Sequence, residues 1–447
     1  MSVPLGIFFA LLPVHLAQDP MRAAGGLPAS ASLREQARVR DAWLLERLET
    51  LVPPLMRSAG IDLWILVGRE YDSDPVLLTM LPATWMTARR RTILVIHDPG
   101  ADQPLERLCV ARYDLAPFFT KAWDGGTDAE QWARLAAIVA ARDPQRIGIS
   151  VSPTFGLADG LAKSQADALE TALDPRYRAR LVSAEKLAVG WLQTRTPAEL
   201  ERYPELCRSA HAIIAEGFSA AVVKPGRTTT KDLEWWYRER IRALGLSTWF
   251  HPTVSLQRAE QTGHSGSFAA KPGEEQIERG DLLHVDFGIT CFGLNTDTQQ
   301  HAYVLKEGES SAPAGLRAAL AVGNRLQDLL IDAFERGRSG NEVLAATLAA
   351  ARSAGIEAVI YTHPLGLHGH GAGPPIGLWD QQGGVAGSGD WQIVPSTVWA
   401  IELNARVSIP EWGDQQIRVM LEEDAWFDGQ TVEYLDGRQT ELYLIAG

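Results

Sequence analysis

Cysteine is scarce: only Cys109, Cys207 and Cys291 occur in 447 residues, scattered and odd in number. That argues against a disulfide framework and for free thiols, without deciding the compartment. Positive charge is also short, with 42 Lys and Arg against 55 Asp and Glu and a formal net charge of -13. A field of that sign repels phosphate backbones, and no basic stripe with interleaved aromatics is present, so nucleic acid is not an expected partner. Long apolar runs are missing too. The one near the start, Val3 to Leu12, is too short to span a bilayer. What remains is globular: 46% hydrophobic and 22% charged residues, without the polar, highly charged bias of a disordered chain. At about 100–200 residues per domain, the length suggests two or three domains.

The opening "MSVPLGIFFALLPVHLAQDP" combines the apolar run with Pro13 and a small residue at Ala17. It reads as a signal peptide over residues 1–17, which places the mature protein in the periplasm or outside the cell. The fit is imperfect, because no Lys or Arg precedes the run and His15 stands three residues before the cut. The competing reading is a buried N-terminal segment of a cytoplasmic protein.

Helical and strand-like periods alternate through residues 33–194, with strands at "IDLWILVGR", "RRRTILVIH" and "RIGISVS" and a helix at 130–143. Such alternation predicts a small α/β domain. A boundary falls before "TRTPAELE", where Thr196 is an N-cap, Pro197 takes the first helical position and Glu199 and Glu201 lie in the first turn. That helix is expected to run towards Val223. A second helix starts at the Thr229 cap, with Asp232 three residues on, and stops at Gly245. The remainder, 195–447, repeats the grammar of helices followed by hairpins. A long helical region over 313–353 leads to the paired strands "TVWAIELNARV" and "IRVMLEEDAWF".

Chemistry gathers in this second part. In "HVDFGITCFGLNTDTQQH" a hairpin turn at "CFGL" centred between Cys291 and Phe292 would set Asp286 and Asp297 opposite each other on one face. Two adjacent carboxylates in a half-buried sheet repel, so one is protonated or a cation binds both. Alone, the pair is better read as two solvated acids. Three later residues in apolar settings change that balance: His363 in "YTHPLGLHGH", Glu402 in "VWAIELNA" and Glu422 in "VMLEEDAWF". Four carboxylates and one imidazole would be neutralised by two divalent cations, and oxygen-rich donors with one nitrogen suit Mn, Co, Zn or Fe. Such a pair activates water and polarises a carbonyl, the needs of amide hydrolysis.

These residues resemble the M24 metallopeptidase family with the "pita-bread" fold, which includes methionine aminopeptidase, Xaa-Pro aminopeptidase, prolidase and the metal-free creatinase. The resemblance covers about 197–446, and residues 33–194 look more weakly like the creatinase-type N-terminal domain of that family. It implies a smaller α/β domain followed by a pita-bread domain of pseudo-repeated helix-helix-hairpin units. The spacing of "DFGITCFGLNTD" makes Asp286 similar to a bidentate ligand of one metal and Asp297 to a bridging ligand. In "HPLGLHGH", His363 is followed by Gly366 and His370 at the family's spacing. His363 is therefore the implied ligand and His370 the substrate hydrogen-bonding residue. The alternative frame, with His370 as ligand, lacks a histidine at 377. Glu402 is implied as a ligand that also shuttles a proton, and Glu422 as the second bridge.

Departures accompany the match. Met420 stands where the family usually has Arg, with Arg418 two residues back, and the loop 363–389 is longer and richer in Gly and Trp. His264 in "QTGHSGS" best matches an upstream substrate-side histidine, with His251 competing; His284 reads as a strand histidine satisfied locally. The implied activity is a two-metal aminopeptidase of Xaa-Pro type acting on peptides, with manganese first among the metals and a homodimer expected. The other readings are a metal-dependent lyase on a small sulfonium compound and a non-catalytic peptide-binding module.

Overall fold

The computed structural model describes residues 31–100, 103–260 and 273–446. The signal-peptide segment 1–17 and His264 lie outside the described residues. Among those described, no helix is long and apolar enough to cross a membrane.

Strict alternation builds the first sheet. Leu63, Ile65, Val67, Ile93 and Val95 point to one face, into a core with the helix Asp128–Arg142. Trp64, Leu66, Leu94 and Ile96 point to the other, against the helices Leu33–Thr50, Val52–Ala59 and Glu185–Gln193. Each such burial contributes about 1.5–3 kcal/mol, so helices are needed on both faces. The result is a mixed six-stranded sheet in the order Thr120–Lys121, Glu106–Val110, Arg91–His97, Leu63–Arg69, Ile147–Ile149, Leu181–Ser183.

The rest of the chain is a mixed α/β structure in which one element order occurs twice. The helices Pro197–Gly217 and Thr230–Ala243 precede the strands Thr253–Gln257, Leu282–Phe287 and Thr298–Val304. The helices Ala314–Ile331 and Gly340–Ser353 precede a second set of strands from Glu357 to Tyr434. Capping boxes at Thr196/Glu199, Thr229/Asp232 and Ser339/Glu342 start three of these helices, each satisfying otherwise unpaired N–H groups. The first helix ends at Gly217 rather than near Val223. The region 313–353 is two helices, because the chain turns between Asp332 and Ser339, with Gly337 at φ 94°.

Two expected long strands are each broken in the middle. "TVWAIELNARV" divides into Thr397–Ala400 and Leu403–Ile409, and "IRVMLEEDAWF" into Gln415–Leu421 and Asp424–Phe427. They do pair, but their halves join different sheets: Leu403–Ile409 pairs with Gln415–Leu421, and Thr397–Ala400 with Asp424–Phe427. Glu402 and Glu422 sit at the breaks.

The register of the opening hairpin also differs. Phe292 (φ 54°) and Gly293 (φ 78°) are the two central turn residues, and Cys291 faces Leu294. Positive φ at both positions is the two-residue hairpin geometry, so the centre lies one position later than expected. The shift follows from burial: Phe292 packs with Trp43 of the helix Leu33–Thr50, ring centroids 5.9 Å apart. Asp286 consequently faces Gln299 and not Asp297. A shift of two in the pairing preserves side-chain parity, so both aspartates still share a face.

Candidate metal centre

Each candidate side chain comes from a strand end or strand break, where backbone can turn a polar group inward without losing a ladder. Asp286 is next to last in Leu282–Phe287; Asp297 immediately precedes Thr298–Val304; His363 opens His363–Leu365. The structure brings the five together. Ligand atoms of Asp286, Asp297 and Glu422 lie within 4.8 Å of one another, as do those of His363, Glu402 and Glu422, and those of Asp297, His363 and His370.

The imidazole of His363 is oriented for lone-pair donation. Its Nδ1 is 3.1 Å from the carbonyl of Pro364, so Nδ1–H donates there and Nε2 faces the acids. Nε2 is 3.5 Å from Asp297 Oδ2 and 3.6 Å from Glu422 Oε1. Those gaps are too long for strong hydrogen bonds.

Asp297, Glu402, Glu422 and His363 are all buried. Burial first, and the Glu422 carboxylate second, push the acids of Asp286, Asp297 and Glu402 well above their ordinary values. Burial opposes charging of His363, but Glu422 and Glu402 outweigh it and raise its pKa. Among the described residues no Lys or Arg forms an ion pair with these four acids. Asp297 Oδ1, His363 Nε2 and Glu422 Oε1 are buried without a hydrogen-bond partner. Polar atoms left so are costly, and three of them converging beside unpaired acids fit a divalent cation in both charge and donor type.

The surroundings hold the acids in place. The backbone N–H of Asp297 donates to Asp424 Oδ1 at 3.2 Å, and the buried Cys207 thiol donates to Asp424 Oδ2 at 3.3 Å. Glu423, beside Glu422 in the same break, turns away from the cluster and accepts from Gln300 Nε2 at 2.8 Å and the Gln439 N–H at 3.0 Å. His211 Nε2 meets it at 2.7 Å, while His211 Nδ1 meets Asp436 at 2.9 Å.

His370 is exposed at the mouth of the site, its ring 4.7 Å from that of His363 and perpendicular to it. Trp249 and Tyr361 flank it, with ring centroids at 5.1 and 6.3 Å. Trp249 lies flush on Gly369, where a Cβ would come within 2.2 Å of the indole. Of the weaker sequence candidates, His251 is beside Glu234, Nε2 to Oε2 3.5 Å. Arg418 faces Arg406 in the three-stranded sheet. His284 is buried, with Nε2 2.9 Å from Gln299 Oε1, and burial together with His301 lowers its pKa to about 3.

Sequence reasoning missed Gln299, the residue across from Asp286. The signal was present, because centring a two-residue turn on Phe292-Gly293 pairs position 286 with 299.

No curated protein sequence matches the chain. Residues 205–425 match the profile of Metallopeptidase family M24. Among solved structures, the X-Pro aminopeptidase from Thermotoga maritima MSB8 is similar at TM-score 0.62 and 16% identity, over 88% of this chain and 99% of that one. The Xaa-Pro dipeptidase from Bacillus anthracis gives 0.58 and 18%, over 92% and 99%. The prolidase from Pyrococcus furiosus gives 0.55 and 13%, over 86% and 99%. At these identities the likeness concerns the fold. Matched in sequence through residues 205–425 and folded like these structures, the chain carries a metallopeptidase family M24 domain.

Proposed function

We propose that the protein is an aminopeptidase that removes the first residue of a peptide, of Xaa-Pro type, using two divalent cations with manganese first among the candidates. The observation that carries this reading is the convergence of Asp297 Oδ1, His363 Nε2 and Glu422 Oε1, buried and unpartnered, beside further acids that have no Lys or Arg ion pair among the described residues. Asp286, Asp297 and Glu422 would hold one ion; Asp297, His363, Glu402 and Glu422 would hold the other. Bound there, such ions supply activation of water near neutral pH and polarisation of the scissile carbonyl.

The remaining chemistry belongs to the side chains. Glu402 carries a proton on its carboxylate from the attacking water to the leaving amine. His370, open at the mouth beside His363, offers a ring N–H to the substrate oxygen. Trp249 and Tyr361 supply apolar walls suited to a pyrrolidine ring. We place the division between a non-catalytic domain, 33–194, and the catalytic one, 195–447, at the Thr196 cap.

The test is metal analysis of purified protein after incubation with Mn2+, combined with digestion of Xaa-Pro and Xaa-Ala peptides. Two ions per chain and release of the first residue from Xaa-Pro peptides are expected, both lost in Asp297→Ala. Protein that binds no metal, or an Asp297→Ala variant cleaving at the parental rate, overturns the proposal.

A further inference from the structure

Gln299 lies inside the cluster without belonging to the ligand set. It is 3% exposed and exchanges both backbone hydrogen bonds with Glu422, at 3.0 and 3.2 Å, tying the first group of strands to the break that carries Glu422. Its side chain then reaches back to the acids. Nε2 is 2.5 Å from Glu402 Oε1 and 2.8 Å from Glu422 Oε2.

The two ends of a carboxamide are chemically opposite, one a double donor and the other an acceptor. Ionised, as ligands of a cation must be, two carboxylate oxygens at such distances accept only from the NH2 end. The carbonyl end must therefore point the other way, where His284 Nε2 lies 2.9 Å from Oε1. On the far side of that imidazole, Ser255 Oγ is 3.4 Å from Nδ1 and can donate to it. The chain Ser255, His284, Gln299 thus runs in one donor direction and ends on the two glutamates. Each amide N–H is used once, and Glu422 Oε1 is left without a protein partner. A carboxylate with one oxygen held by a fixed donor presents the other in one direction, which is the preorganisation a coordination site needs.

We infer that Gln299 is a positioning residue of the metal centre: its carboxamide, aimed by His284, clamps Glu402 and Glu422 together and turns the second oxygen of Glu422 towards the ion. This rests on the metal reading above. The clamp acts before any substrate arrives, so its effect belongs in metal affinity.

The experiment is calorimetric titration of the metal-free protein with Mn2+, with a thermal melt of each metal-free variant. Gln299→Met keeps length and removes both donors. It is expected to weaken Mn2+ binding roughly 10–100-fold, the range for lost outer partners of ligands, in a metal-free protein whose melt still shows a cooperative folded state. Gln300→Met is the structural control, since Gln300 points away to Glu423 and Tyr443, at 2.8 and 3.1 Å. It is expected to lower the melting temperature and leave Mn2+ affinity unchanged. If Gln299→Met does not fold, Gln299→Asn, which withdraws the same carboxamide by one methylene, is judged by the same loss of affinity. Parental affinity in the Gln299 variant, or an equal loss in Gln300→Met, overturns the clamp while the metal reading stands. A parental protein that takes up no Mn2+ removes the metal reading and the clamp with it.

Discussion

The acids of the two sheet systems are treated in opposite ways. In the six-stranded sheet, Glu106 is bonded by Arg142 and flanked by His97, and Asp98 is bonded by Arg57. Those arginines hold both carboxyls below their ordinary values. In the second half, Asp286, Asp297, Glu402 and Glu422 are packed together with a single imidazole and no arginine or lysine ion pair among the described residues. The first kind of acid is complete within the protein. The second is a cluster that stays ionised only with a compensating positive charge and otherwise takes up protons, as the raised pKa values of Asp286, Asp297 and Glu402 show, and that combination marks it as a candidate site.

Removing one of the unpaired acids breaks this contrast most severely. Asp297→Ala should abolish metal uptake and lower peptide cleavage by on the order of 10³-fold or more, the scale of losing a group that stabilises transition-state charge. Metal analysis and initial rates check it.

The exception within the second half sharpens the comparison. Glu423 does have a protein cation, His211, whose charging is opposed by burial but favoured more strongly by Glu423 and Asp436, raising its pKa to about 10. The folded value lies above the unfolded value of about 6.5. The stabilisation is therefore complete below about 6.5 and is lost as pH rises through about 10. His211→Gln leaves Glu423 buried without its cation, at a cost of roughly 3–5 kcal/mol, and should flatten the fall in melting temperature between neutral and alkaline pH.

Chelation comes next. With Mn2+ held at about 100-fold above its dissociation constant, linkage contributes about 2.7 kcal/mol, so a chelator should lower the melting temperature of the parent and leave Asp297→Ala unmoved. The smallest effect belongs to the paired acids. Arg142→Ala should cost about 1 kcal/mol or less, because Glu106 is substantially exposed. The folded pKa of Glu106 is depressed, so that contribution is present above the ordinary carboxylate range and fades as pH falls through it. Denaturant melts at pH 7 and pH 3.5 check it.

Much of this was legible in the chain. Period-two apolar residues at 63–67 and 93–96 announce strands covered on both faces, and the caps at Thr196 and Thr229 announce their helices. The order and spacing of Asp286, Asp297, His363, Glu402 and Glu422 point to one cluster, and their ligand atoms converge in the fold. The strand breaks at Glu402 and Glu422 were not legible, since apolar residues on both sides of each glutamate look the same in one sheet or two. The partnership of His211 with Glu423 spans more than two hundred residues, and no local pattern encodes it. Gln299 was overlooked for a narrower reason: a centre misplaced by one residue put the wrong partner across from Asp286.

If the acids are gathered for a cation, they destabilise the protein when it is absent and stabilise it when it is present. Thermal melting of Asp297→Asn beside the parent, with chelator and with saturating Mn2+, measures this directly. The variant should melt above the parent in chelator and below it in Mn2+. A parent that melts higher in both conditions would contradict a metal centre built on Asp297.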